Sequence, residues 1–295
     1  MTFKIICDKI TFGQKDKDSG KDLFKMKKLA LILALVMMMS VVFTACGEKE
    51  SGGLSISTTG TADSGTQILT GLNGESITVP SSITKIACVS PAAKIILESL
   101  GAADKLAEAD AAEIIFVDEA DAGSYSGSAA PVVSIPTAAS VADINTLVRL
   151  VAKAAGVSPD DLVNKITNVM NVAQVGSSAY TTRYRTFIDL GSGKTVGSGT
   201  YVTEILYATG LENVATMAGF GEMAEADVVA ADPEFIFTTG SASAYLNNAA
   251  FAEVSAVVNG FVYEIAEEDI IYGSSNVSNA VSQIYEKVSA TRGDD

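Results

Sequence analysis

Between residues 185 and 213 the sequence changes its period once, from strand to helix, and that change restricts the fold more than any other feature of the chain. Residues 185–190 are largely β-branched and aromatic, which reads as a strand. Val202, Ile205, Leu206 and Thr209 then recur at helical spacing, and Gly210 stands where a helix C-cap glycine belongs. The small residues Gly197-Ser198-Gly199-Thr200 and then Tyr201 lead into that helix. Strand, loop and helix in this order belong to α/β architectures. The helix start offers free backbone N–H groups and a partial positive charge, and Tyr201 adds a flat amphipathic ring. Two readings stay open at this point: a platform for a ligand, or an ordinary connection whose glycines serve the turn.

The chain has 295 residues, 48% of them hydrophobic, enough for one large or two medium domains with a substantial core. Its 20 Lys and Arg face 35 Asp and Glu, a net charge of −15. Such a surface repels polyanions, so nucleic acid is not expected as a partner. There is no histidine, which removes imidazole metal sites and the Ser-His-Asp and Cys-His catalytic arrangements. Cys7, Cys46 and Cys88 have no metal-ligand spacing, and no disulfide framework follows from them.

Residues 1–25 are polar and lysine-rich without periodicity, and the chain changes character at Met26-Lys27-Lys28. Residues 29–43 are apolar except for Ser40, and Thr44-Ala45-Cys46-Gly47 follows. That is a charged start, an apolar run too short to span a bilayer comfortably, and a small-residue cleavage site. Met26 is therefore the expected true start, with 1–25 an upstream misassignment. Phe43-Thr44-Ala45-Cys46 resembles a bacterial lipobox, with phenylalanine where leucine is usual, and implies acylation of Cys46. A transmembrane anchor or an ordinary secretory signal are the alternatives. Acyl chains would hold the protein on a membrane, each buried methylene contributing about 0.8 kcal/mol. Residues 1–45 carry eight lysines and four aspartates, so their removal leaves 250 residues with a net charge of −19. Residues 46–66, rich in Ser, Gly and Thr, read as a flexible tether.

Order is expected from Gln67. Residues 67–72 and 76–79 make a hairpin around Asn73-Gly74. Strands are expected at 83–89, 114–117 and 131–135, with a helix between the first two that starts at Ser90-Pro91 and stops at Gly101. Residues 118–130 form an acidic, glycine- and serine-rich loop containing Tyr125. Residues 141–155 carry an amphipathic helix. Ser158-Pro159-Asp160-Asp161 opens a second with a cap, a proline and an acidic first turn. Beyond the strand and helix described first, helices are expected at 224–230, 249–257 and 275–290, and strands at 234–239 and 262–265. The whole reads as two α/β lobes separated by a helical pair. Ligands of open α/β sheets sit outside the carboxyl ends of the strands, so two such lobes facing each other make a cleft.

Four segments, in order behind the lipobox, carry a family likeness. Val79-Pro80 followed by 83–91 and 97–101 resembles the opening of the iron-complex and cobalamin binding lipoproteins of ABC importers, the class III periplasmic solute-binding proteins. The run 197–214, Ala230-Ala231-Asp232-Pro233-Glu234-Phe235-Ile236-Phe237, and then Phe251-Ala252-Glu253-Val254-Ser255-Ala256-Val257 with Val262-Tyr263 resemble their second lobe. The likeness covers residues 67–290. It implies an N-terminal lobe at 67–157, a linking helix at 158–175, a C-terminal lobe at 176–295 and a small hinge motion. It further implies capture of a siderophore-bound iron, haem or cobalamin and delivery to an ABC permease with its ATPase, without catalysis. The chain would sit outside the cytoplasm on the bacterial cell membrane, with no resident cofactor, any metal arriving inside the ligand. The sequence departs from the family in three places. After Glu108 the segment leading to a Lys-Pro-Asp-Leu-like turn is missing, so the first lobe is shortened. The acidic residue that docks on permease arginines falls at Ala226 in the second lobe, leaving adjacent Glu225 as its substitute. Lys94 stands where an acidic residue is frequent.

By position, Ser90, Ala92, Tyr125, Thr200, Tyr201, Ser241, Tyr245 and Tyr272 border the expected cleft. Tyrosines suit a large, partly apolar chelate, although core packing or solvent exposure explains each one equally well. Arg183 and Arg185 share one strand face and meet either an anionic ligand or an internal partner, the latter being favoured. Gly191-Ser192-Gly193-Lys194-Thr195 ends like a phosphate loop but lacks the first glycine, Ile188 standing there. Ser82-Ile83-Thr84-Lys85 has the spacing of penicillin-binding enzymes but leads into a strand instead of a helix. Asp118, Glu119 and Asp121 lack ordered cation-ligand spacing and read as a solvated loop. A carboxylate hydrolase is left without visible paired-carboxylate geometry. The alternative to a solute receptor is a lobe-shortened surface lipoprotein that works as an adhesin or interaction partner.

Overall fold

The computed structural model describes residues 65–292. The expected signal peptide, Cys46 and nearly all of the tether lie outside them. β1 (Thr66–Thr70) and β2 (Ser76–Pro80) form the antiparallel hairpin, starting one residue earlier than expected. Gly74, at φ 81°, takes the left-handed conformation that the turn needs. Leu69 and Val79 are buried beneath it.

The first lobe is a parallel sheet of β3 (Ile86–Cys88), β4 (Ile114–Asp118) and β5 (Val132–Ile135) in that order. α1 (Pro91–Ser99) follows β3 and α2 (Val141–Ala155) follows β5. The strand expected at 83–89 is shorter because Thr84 and Lys85 turn to Glu113. The amides of both and the Thr84 hydroxyl donate to Glu113 Oε2 at 2.7–2.9 Å. These bonds hold the Glu113 carboxyl below the usual carboxylate range.

α2 has the boundaries read from sequence, because both ends carry strong signals. Ser140 Oγ accepts from Asp143 N at 3.2 Å, and Asp143 Oδ2 accepts from Ser140 N at 3.0 Å, a reciprocal capping box. Gly156, at φ 68°, closes the helix. Ser140→Ala is expected to cost about 1 kcal/mol, lowering the unfolding midpoint by about 2–4 °C for a domain of this size. Calorimetric melts of the two proteins check this.

α3 (Asp160–Ser177) is the long helix, about 27 Å from end to end. Pro159, not Ser158, occupies its N-cap, while Ser158 Oγ accepts from Asp160 N at 3.2 Å just ahead. Val163, Ile166 and Ala173 are its buried face.

The second lobe runs β6 (Tyr184–Asp189), β7 (Lys194–Val196), α4 (Tyr201–Ala208), β8 (Leu211–Asn213), β9 (Phe220–Glu222), α5 (Glu225–Ala231) and β10 (Phe235–Thr238). The short helices α6 (Ser243–Leu246) and α7 (Ser255–Val258), β11 (Val262–Glu264), α8 (Glu267–Ile270) and α9 (Val277–Arg292) complete it. Strand order is β11-β10-β6-β7-β9, and β8 pairs with the first half of β6 on the side where β7 takes its last residue. β8, β6, β10 and β11 are parallel, whereas β7 and β9 are antiparallel additions. The Gly191-Ser192-Gly193 run is the tight turn between β6 and β7, with φ values of 85°, 54° and 77°. It leads into a strand, where a phosphate loop would lead into a helix. The helix expected at 249–257 is two pieces, a 3-10 turn over Ala249–Phe251 and then α7.

β10 shows why the second sheet is central: it is buried on both faces. Phe235 and Phe237 enter the main core shared by both lobes, while Ile236 joins Phe187, Val228 and Phe251 in a smaller cluster on the opposite face. Two hydrogen bonds stitch the lobes together directly. Glu204 Oε2 on α4 accepts from Val141 N at 2.7 Å, and Ser275 Oγ meets Ser99 Oγ at 2.9 Å. Among the described residues no helix is long and apolar enough to cross a membrane.

Candidate ligand cleft

The carboxyl ends of β4 and β5 open onto a cleft of about 570 Å³ between the lobes. From the first lobe come Asp118 and Ile135, the last residues of those strands, with Glu119 and Pro136 just beyond. Ala92 enters from the start of α1, Ile144 and Leu147 from α2, and Leu72 from the hairpin. The second lobe supplies Tyr201 from α4, Phe220 from β9 and Ile271, Tyr272 and Gly273 after α8. The walls are mainly apolar and the size suits a drug-sized ligand, typical sites spanning roughly 300–1,000 Å³.

Tyr201 fixes the back of the cleft. It is 1% exposed, its hydroxyl donates to Ile270 O at 2.6 Å, and it accepts from Gly273 N at 3.0 Å. Burial pushes its phenol well above the usual range. Gly273, at φ 61°, lies where a Cβ would come within 3.2 Å of the Tyr201 ring and 3.4 Å of Ala138. The segment 270–273 is thereby pressed against both lobes. Tyr272 is half-buried on the cleft side, and its hydroxyl donates to Glu267 Oε1 at 3.2 Å. Burial first, and then Glu267, raise its pKa. Phe220 is 41% exposed in the cleft lining, an apolar ring left open to solvent.

No protein-family model matches this sequence, and no curated protein does. Solved structures do match. CeuE of Helicobacter pylori with Ni-His is similar over 78% of this chain and 91% of its own, at 14% identity and a TM-score of 0.67. The molybdate periplasmic binding protein MolA of Haemophilus influenzae matches over 77% of this chain and 92% of its own, at 15% identity and a TM-score of 0.67. The periplasmic vitamin B12 binding protein BtuF of Vibrio cholerae matches over 72% and 99%, at 16% identity and a TM-score of 0.59. The fold is that of the class III periplasmic solute-binding proteins.

Within this binding-protein fold, Ala92, Tyr201 and Tyr272 line the cleft and the other expected residues do not. Ser90 is fully buried behind Ala92; its hydroxyl makes no cap and has no hydrogen-bond partner. Thr200 is 4% exposed, with its hydroxyl given to Gly197 O at 3.1 Å. Tyr125 lies beside the cleft, in a separate recess with Cys88, Lys94 and Glu108. Burial raises the Cys88 thiol to about 12, so it is protonated at neutral pH. Ser241 is exposed and donates to Glu264 Oε1 at 3.1 Å. Tyr245 stands in a second-lobe recess of about 330 Å³ with Asp189, Glu225 and Phe251. Burial and the neighbouring Asp189 carboxylate push its phenol far up. Glu225 is exposed at the start of α5 and accepts from Asn248 at 3.0 Å.

Arg183 and Arg185 lie at the amino end of β6, away from the carboxyl ends that face a ligand. Arg185 pairs with Asp232 at 3.2 Å and Glu234 at 3.6 Å, and Arg183 stacks on Tyr207 while donating to its carbonyl. The internal partner is the outcome for Arg185. Asp232, held at φ 44°, also accepts from Ser255 N and Oγ, and these bonds, with Arg185, lower its pKa.

Among the residues that sequence reasoning missed are Leu72, Ile144, Leu147, Phe220 and Ile271 as cleft walls, and Asp118, Glu119 and Asp143 as its charged groups. For Asp118 and Glu119 a signal existed: they stand at the end of a buried-type strand and just beyond it, where α/β sheets place their ligands.

Proposed function

We propose that this chain is a lipid-anchored extracytoplasmic receptor that captures a metal chelate or corrinoid and delivers it to an ABC permease and its ATPase. The cleft at the strand ends between two α/β lobes carries this reading: it is apolar-walled, open to solvent and ringed by residues from both lobes. Siderophore-bound iron, haem and cobalamin are the ligand classes in question. Ala92 and Tyr272 would touch the ligand directly, with Tyr201 behind them. In this reading residues 26–45 are the signal peptide, Cys46 is acylated, and the lobes 67–157 and 176–295 flank the linking helix 158–175. Glu225 is the surface acid offered to permease arginines.

The test is thermal unfolding of the full chain in detergent, followed by calorimetry because there is no tryptophan to report. Ferric siderophores, haem and cobalamin are added in turn. A true ligand at a hundred times its dissociation constant is expected to add about 2.7 kcal/mol. A saturable shift from one class establishes the receptor. A folded protein that responds to none of them is instead a surface interaction lipoprotein.

A further inference from the structure

The charges around the cleft discriminate among chelates, an inference that rests on the receptor reading above. Three carboxylates line the cleft, those of Asp118, Glu119 and Asp143, and no lysine or arginine does. Asp143 is already committed, accepting from Ala139 N and Ser140 N at 3.0 Å. Asp118 and Glu119 are not: the ion pairs among the described residues are Arg185 with Asp232 and Glu234, and Lys287 with Glu286. Both carboxylates sit at the carboxyl end of β4, where open α/β sheets place their ligands. The opposing field comes from the amino ends of α1, α2 and α4, whose first turns reach the lining at Ala92, Asp143 and Tyr201; α2 and α4 carry their own acids there, Asp143 and Glu204, which leaves α1 as the one such end without an acid. A helix end is worth about half a unit charge, against two full negative charges. The sum at the cleft is negative.

The apolar surfaces act in the same direction. Phe220 and Tyr272 present aromatic surface within the same lining, and a ring face attracts a cation and repels an anion. A trianionic catecholate complex, or the propionates of haem, would meet carboxylates with no basic group in the lining to answer them. We infer that the cleft selects chelates that carry a cationic group over neutral ones and rejects anionic ones, Asp118 and Glu119 being the residues that face the ligand's positive charge.

Three ferric siderophores of differing charge test this on the full chain in detergent. Ferrioxamine B is a tris-hydroxamate with a free ammonium, ferrioxamine E is its uncharged cyclic relative, and ferric enterobactin is a trianionic catecholate. Haem and cyanocobalamin complete the panel. Titration calorimetry at low salt is expected to show ferrioxamine B binding about tenfold more tightly than ferrioxamine E, equivalent to about 1.4 kcal/mol. Ferric enterobactin and haem give no binding heat. The preference is expected to shrink to about threefold or less in the Asp118→Asn, Glu119→Gln double variant and in high salt, as exposed charges are screened. An anionic chelate binding as tightly as ferrioxamine B overturns the inference and leaves the receptor reading standing. So does a double variant that keeps the full preference. Absence of binding by all five probes overturns the receptor reading and this inference together.

Discussion

Tyr201→Phe is expected to lower the unfolding midpoint by about 5–10 °C, although it removes a single oxygen atom. The hydroxyl stands between two backbone groups, giving its proton to Ile270 O and receiving one from Gly273 N. Ile270 and Gly273 are themselves buried, so their backbone groups have no ready replacement for the hydroxyl. An orphaned buried group costs about 1–3 kcal/mol; with the two together near the low end, about 2.5 kcal/mol, and each kcal/mol worth about 2–4 °C in a domain of this size, the shift follows. The consequence reaches the cleft, because the same segment carries Ile271, Tyr272 and Gly273 into its wall. Ligand affinity is expected to fall with stability. Tyr272→Phe is the control: its bond to Glu267 is solvent-exposed, so the midpoint moves by less than about 1 °C. Equal effects from the two substitutions would show that the Tyr201 hydroxyl is not a buried anchor.

Gly197→Ala is the second large effect, and it acts through the backbone. A Cβ at this position collides with the carbonyl group of Met217. That carbonyl cannot step aside, because it accepts from Ser198 N at 2.7 Å. Gly197 N donates to Gly219 O at 2.8 Å, so Gly197 cannot step aside either. Its own carbonyl accepts the hydroxyls of Thr200 and Thr203 at 3.1 and 2.9 Å and so sets the start of α4. Relieving the clash therefore breaks a knot of bonds, at about 3 kcal/mol and about 6–12 °C in midpoint. Gly199→Ala, two residues on, separates this clash from simple backbone strain. Its φ is 73° but nothing lies within 4 Å of its Cβ, so only about 1–2 kcal/mol is expected. If Gly199→Ala proves the more damaging, the close approach at Gly197 is not what shapes the loop.

This loop also shows how far the sequence could be read. The strand before residue 190 and the helix that ends before Gly210 were legible because period and glycine placement are local properties, but β7 stands between them where a loop alone was expected. α2 was legible to the residue for the same reason, Ser140, Asp143 and Gly156 all acting within a turn of the ends they fix. β7, β8 and β9 were not, since three residues are too few to display a period, and their pairing depends on partners elsewhere. The cleft divides in the same way. Ala92 and Tyr272 follow from their loops, whereas the role of Tyr201 depends on a segment about seventy residues later. Its helix position was visible and its bonding was not. Leu72 reaches the cleft from a hairpin whose sequence says nothing about what it packs against.

The bonds from Glu204 to Val141 and from Ser275 to Ser99 tie each lobe to the other before any ligand arrives. In the proposed receptor role, ordering the two halves is then accomplished during folding and does not recur with each capture. A preorganised receptor spends little of its binding energy on conformational change. Its scattering envelope should be nearly the same empty and loaded, and its off-rate should follow the fit of the ligand instead of a domain-opening step. Any signal that the cleft is occupied would then have to come from the exposed surface of the ligand itself.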